Sequence, residues 1–348
     1  MRVKLILGGD SVKVRCLFFI VLVFCLTSPA FAAAGEDAAS IESQVPADEE
    51  AQRFQISGAV RFGLLHDSNV SQGPFFDSTR LGDWDVRLRD GKERSSAGTY
   101  LGTNLNMGYR MDTASPWWWV GDVDGLWRVN ANSSLKDTNS RSLHWGRVGA
   151  GLRYMGDGNQ VDARLKAEIL DYEFDSNVTA LGAELRYTHF LTPSAHLIAD
   201  GAVESRSYNR DGERDGTFSR IGGYTRYLFG DAGHEFLIGL GFMGATADVD
   251  NYAYDGWQAM SRAVFKLPHG FTLSPHVSYT RESYDGPATT QEICNRRDNR
   301  LRIGADVAYA INESWSVEAG YDFTNINSNS SLYDYDRHML TLGLVWRF

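Results

Sequence analysis

Cysteine is nearly missing from this 348-residue chain, which has only Cys16, Cys25 and Cys294. The first two fall in an amino-terminal stretch that reads as a removable leader. Cys294 is then alone in the remainder, which excludes an intramolecular disulfide or a cysteine-built metal site there. Proline is scarce as well, with 8 residues against 35 glycines. Beyond the leader, no stretch approaches the roughly 20 consecutive apolar residues that a membrane-crossing helix needs. A mean hydropathy of -0.32 also argues against a helical membrane protein. It does not argue against a barrel, because a barrel's interior and loops are polar. Positive charge is in deficit, with 34 Lys and Arg against 44 Asp and Glu for a net charge of -10. That balance argues against nucleic acid as a partner.

What is present begins with the leader. Arg2, Lys4, Lys13 and Arg15 make it basic, residues 16–26 are apolar, and Ala30-Phe31-Ala32 supplies small residues for cleavage. The pattern predicts a secretory signal over residues 1–32. Leu22-Val23-Phe24-Cys25 is a poor lipoprotein box, because bulky Phe24 stands where a small residue is wanted. Residues 33–52 carry Glu36, Asp37, Glu42, Asp48, Glu49 and Glu50, with no aromatic before Phe54. They read as an acidic, flexible periplasmic segment.

The last dozen residues set the pattern for the rest. Leu340, Leu342, Leu344, Trp346 and Phe348 alternate with Met339, Thr341, Gly343, Val345 and Arg347. Period-two alternation marks a strand with two unlike faces. The same grammar recurs from residue 53 onward. Val161, Ala163, Leu165, Ala167 and Ile169 interleave with Asp162, Arg164, Lys166 and Glu168. Turn signals such as Gly156-Asp157-Gly158-Asn159 alternate with longer polar connectors. Trp117-Trp118-Trp119 opens one strand beside such a turn, as an interfacial aromatic girdle would. The first strand is expected to end near Leu64, ahead of a loop of roughly 30 residues, well beyond hairpin length. Together these predict an all-β chain over residues 53–348. The expected form is a transmembrane antiparallel outer-membrane β-barrel of about 14 strands, with both termini periplasmic.

In that arrangement Asp122, Asp124, Arg128, Arg147, Arg153, Arg164, Lys166, Glu168, Glu184 and Arg186 are the candidate lumen-lining residues. Both signs are interspersed on neighbouring strands, which points to a salt-bridged network more than to a selective passage. Trp346 and Phe348 are expected to form a signal for the barrel insertion machinery. No catalytic, cofactor or metal site is expected. His196 and His276 face inward with neither a Ser nor an Asp placed beside them, and His66-Asp67 reads as loop chemistry rather than a dyad. Asp248-Val249-Asp250-Asn251 begins like a calcium loop, yet Ala253 stands where that pattern requires Gly.

The wording is most specific at the two ends. His66-Asp67-Ser68-Asn69-Val70, followed by Gly73-Pro74, resembles the first outside loop of the barrel in surface lipoprotein assembly modifiers. Ser328-Asn329 through Tyr333-Asp334-Tyr335-Asp336-Arg337, then the final strand, is similar to that family's last hairpin. The segment 297–323, with Trp315 and Tyr321, is similar in style, so the resemblance spans roughly residues 53 to 348. It implies a barrel of about fourteen strands that moves lipoproteins to the cell surface, with outer-membrane lipid, a lipoprotein cargo and a periplasmic partner around it. Family members carry an amino-terminal domain of tetratricopeptide repeats, and here the short acidic segment is expected in its place. The alternative function is a passive diffusion porin for small solutes.

Overall fold

The computed structural model describes residues 53–68, 96–110, 112, 114–130, 143–172, 176–209, 212–287, 294–331 and 333–348. The leader and the acidic segment expected over residues 1–52 lie outside the described residues.

Fourteen strands account for nearly all of it. They are β1 (Phe54–Asp67), β2 (Ser96–Arg110), β3 (Trp117–Asn130), β4 (Leu143–Gly156), β5 (Asn159–Tyr172), β6 (Ser176–Thr192) and β7 (Ala195–Tyr208). The second half comprises β8 (Gly216–Phe229), β9 (His234–Ala245), β10 (Tyr254–Lys266), β11 (Phe271–Tyr284), β12 (Arg297–Ala310), β13 (Trp315–Ser328) and β14 (Tyr335–Arg347). Each pairs antiparallel with its sequence neighbours, and β14 pairs back onto β1 to close the barrel. Closure leaves no sheet edge, the condition for crossing a bilayer with strands.

Side chains alternate along the strands, with one register shift between Phe190 and Thr192, and the usual order of burial is inverted. Leu165 and Leu181 are each 69% exposed, while Lys166, one residue along from Leu165, is 7% exposed. The exposed apolar rows face away from the barrel axis and the buried charges face toward it, as hydrocarbon outside and a polar interior require. Trp117, Trp119, Tyr187, Tyr227, Phe271, Tyr309 and Trp315 are among the exposed aromatics, and all lie toward one end. At that end the connectors are short, spanning residues 157–158, 193–194, 230–233, 267–270 and 311–314. Gly158 turns the first of them with φ 78°, a conformation open to glycine at no steric penalty.

Connectors at the opposite end are mostly longer, as the sequence suggests, with one exception. Residues 173–175 alone separate β5 from β6, because β6 is the longest strand and begins earlier than its apolar row reveals. A second difference lies in β1, which continues past Leu64 to Asp67 and brings that carboxylate into the wall.

The facing generates a direct test. Leu165→Arg is expected to destabilise the barrel in lipid vesicles by about 2–4 kcal/mol if it sits near the bilayer midplane. Asn106→Arg, on the inward face of β2 and opposite Asp122 in register, is expected to cost under about 1 kcal/mol. Urea unfolding of the two variants measures the difference, and equal losses would contradict the assigned faces.

Candidate functional site

All ten candidate charges project to the inward side, on four successive strands. Asp122, Asp124 and Arg128 come from β3, and Arg147 and Arg153 from β4. Arg164, Lys166 and Glu168 come from β5, and Glu184 and Arg186 from β6. Antiparallel register sets the charges of one strand opposite those of the next: Asp124 faces Arg147, Arg147 faces Glu168, Arg153 faces Asp162, and Arg164 faces Glu184.

Two linked clusters result. In the first, Arg164 lies 2.9 Å from Asp122 and 3.4 Å from Asp162, and Arg153 lies 2.7 Å from Asp162. Arg147 reaches Asp122 at 3.3 Å and also contacts Asp124, while Gln160 donates to Asp162 at 2.6 Å. In the second, Lys166 sits 3.0 Å from both Glu184 and Glu204. Arg206 holds Glu204 at 3.0 Å, and Arg220 holds Glu184 at 3.5 Å. Arg186 and Arg220 approach the buried Asp200 at 3.7 and 4.0 Å. Removing such charges from water is costly, and only opposite charge with hydrogen bonding at close range offsets it. The pairing is therefore a requirement of the burial.

Arg128 also meets an acid on β1. It turns to Asp67, reaching it at 2.8 Å, and Arg337 grips the same carboxylate with Nε at 3.0 Å and Nη2 at 2.6 Å. Asp67 is wholly buried, so three strands, β1, β3 and β14, meet on one acid. This corrects the loop reading of His66-Asp67: His66 points outward, Asp67 inward, and the two side chains cannot act together. Toward the short-turn end a second clasp forms, in which Glu318 on β13 holds Arg347 on β14 at 2.6 Å and lies 3.6 Å from Arg61 on β1.

His276 gains partners that were not expected for it. Its Nε2 lies 2.7 Å from Asp322 and its Nδ1 3.9 Å from Asp306, while Arg302 reaches Asp322 at 2.9 Å. Both ring nitrogens face carboxylates rather than a hydroxyl. His196 has its Nε2 3.3 Å from the Pro193 carbonyl. Among the described residues no cluster of three or more metal-ligating side chains occurs. The charges that the sequence reading passed over, Asp67, Arg220, Arg302, Asp322 and Arg337, all stand at inward positions of the same alternation. Carrying that alternation through β8 to β14 would have found most of them.

A family profile described as surface lipoprotein assembly modifier matches residues 58–348. No curated protein matches the chain. Solved structures resemble it at low identity. OmpT of Vibrio cholerae is 13% identical with a TM-score of 0.45, the match covering 86% of this chain and 99% of that one. The outer-membrane channel DcaP of Acinetobacter baumannii is 12% identical with a TM-score of 0.43, covering 85% and 97%. OpdQ of Pseudomonas aeruginosa is 12% identical with a TM-score of 0.40, covering 86% and 99%.

The three-strand junction yields a prediction. Asp67→Asn leaves two buried guanidinium groups facing a neutral amide, an expected loss of about 3–5 kcal/mol. Urea unfolding of the refolded barrel checks it, and a loss under about 1 kcal/mol, typical of an exposed pair, would contradict the junction's role.

Proposed function

The chain belongs to the surface lipoprotein assembly modifier family, and from that premise we propose that its outer-membrane barrel takes part in moving a lipoprotein cargo to the cell surface. The reading includes a cleaved leader over residues 1–32 and a periplasmic lead-in over residues 33–52. The short-turn end and both termini then lie on the periplasmic side, where a separate partner can hand over cargo. Trp346 and Phe348 serve as the signal to the insertion machinery. The barrel acts by transport and not by catalysis.

One observation favours this over the alternative of a diffusion porin. Many inward charges on β3 to β8 are buried and set against opposite charge: Asp122, Arg147, Asp162, Lys166, Asp200 and Arg220 are all 7% exposed or less. Charges lining a wide water-filled pore would be hydrated by it. These brace the wall, which suits a barrel that is closed at rest and opens when cargo engages.

Deleting the gene tests the proposal. Lipoproteins labelled with radioactive palmitate are assayed for digestion by protease added to intact cells. One or more labelled species should lose protease exposure in the deletion strain and regain it when the gene is restored. Unchanged exposure of every labelled species, with altered uptake of small solutes, would favour the porin.

A further inference from the structure

We infer that the β1–β14 seam is the line along which the acylated end of the cargo passes through the barrel wall, an inference that rests on the lipoprotein reading above. The starting point is a conflict of chemistry. Acyl chains favour hydrocarbon by about 0.8 kcal/mol for each buried CH₂, whereas the inward face is an array of buried ion pairs on β3 to β8. The polypeptide and its lipid therefore cannot share the interior. The lipid must stay outside in the bilayer, and the chain joining it to the interior must cross the wall between two strands.

The structure favours one seam. β1 and β14 are the two end strands, so no connector ties them at either end, whereas every other neighbouring pair is joined by a connector. Among the described residues theirs is also the shortest ladder, with nine residue pairs from Ala59↔Arg347 to Asp67↔Met339, against fourteen between β1 and β2. Midway along it Gly63 faces Gly343, and neither has a side chain to hold the other. The Tyr100 hydroxyl, reaching over from β2, fills the space that a side chain on Gly343 would occupy. The inward fastenings sit toward the ends of the ladder: Arg337 on Asp67 at one, and Glu318 with Arg347 and Arg61 at the other. Two polar clasps toward the ends leave the middle of the ladder held by backbone pairing and by the packing of Tyr100. Opening it exposes backbone groups that hydrocarbon cannot satisfy. An extended cargo segment lying along β1 or β14 supplies the missing hydrogen bonds by strand addition.

The experiment locks the seam in the full-length, assembled protein. In a Cys294→Ser background, Leu64→Cys with Leu342→Cys places outward thiols at register partners across β1 and β14. Ala183→Cys with Val203→Cys does the same across β6 and β7 as a control. An oxidant is added to cells that already hold folded barrel, verified by heat-modifiable gel mobility, and protease exposure of newly palmitate-labelled lipoproteins is followed. The seam lock should reduce exposure to the level of the deletion strain, and a reductant should restore it, while the control lock leaves it unchanged. If the Leu64 pair lowers exposure before oxidation, Phe62→Cys with Leu344→Cys replaces it at neighbouring partners. Wild-type exposure from the locked seam would overturn this inference and leave the proposed function standing. Loss with both locks would overturn it as well, since any cross-link would then suffice. No loss in the deletion strain itself would overturn the proposed function, and this inference with it.

Discussion

Hydrocarbon offers no hydrogen bonds, so every backbone amide and carbonyl that enters it must find a partner within the protein. A helix meets that demand locally, but among the described residues no helix is long and apolar enough to span. The chain meets the demand with strands, and strands meet it only when the sheet closes on itself. From closure follows the rest. The pairing of β1 with β14 removes the edges, the outward rows must be apolar and the inward rows must not. The exposure of Leu165 beside the burial of Lys166 is one local consequence of that global demand.

Closure also creates the electrostatic problem that the interior solves. Inward positions on strands of alternating pattern accumulate charge, and charge packed away from water is tolerated only when paired. Register does the pairing. Asp124 meets Arg147 and Arg153 meets Asp162 because the ladders bring those residues level. A slip of one residue would turn a strand's charges toward lipid, so the same pairs that line the inward face also fix the register. Asp67 extends this logic to the closing seam, where one carboxylate answers guanidinium groups from β3 and β14.

Much of this was legible from residue order alone. Period-two alternation gave the faces of the strands, and tight turns gave the spacing, because both are local properties. Partners were not legible. Asp67 and Arg337 stand 270 residues apart, and nothing local joins them until the strands are counted and the barrel is closed. Asp67 read as loop because the apolar row of β1 fades at Leu64, although the strand runs three residues further. His276 read as an inward histidine without an acid, because its partner Asp322 lies two strands away. The connector over residues 173–175 was longer in expectation, since the first residues of β6, Ser176 and Asn177, are polar and carry no apolar signal.

The central proposal is that the inward charges, by pairing with one another, hold the barrel closed at rest. Electrical recording from the purified protein in a planar lipid bilayer tests it most directly. The account predicts insertion without a sustained conductance step, together with a step that appears when Asp122→Asn, Asp162→Asn and Lys166→Met loosen the paired clusters. A steady, open conductance from the unaltered protein would contradict it.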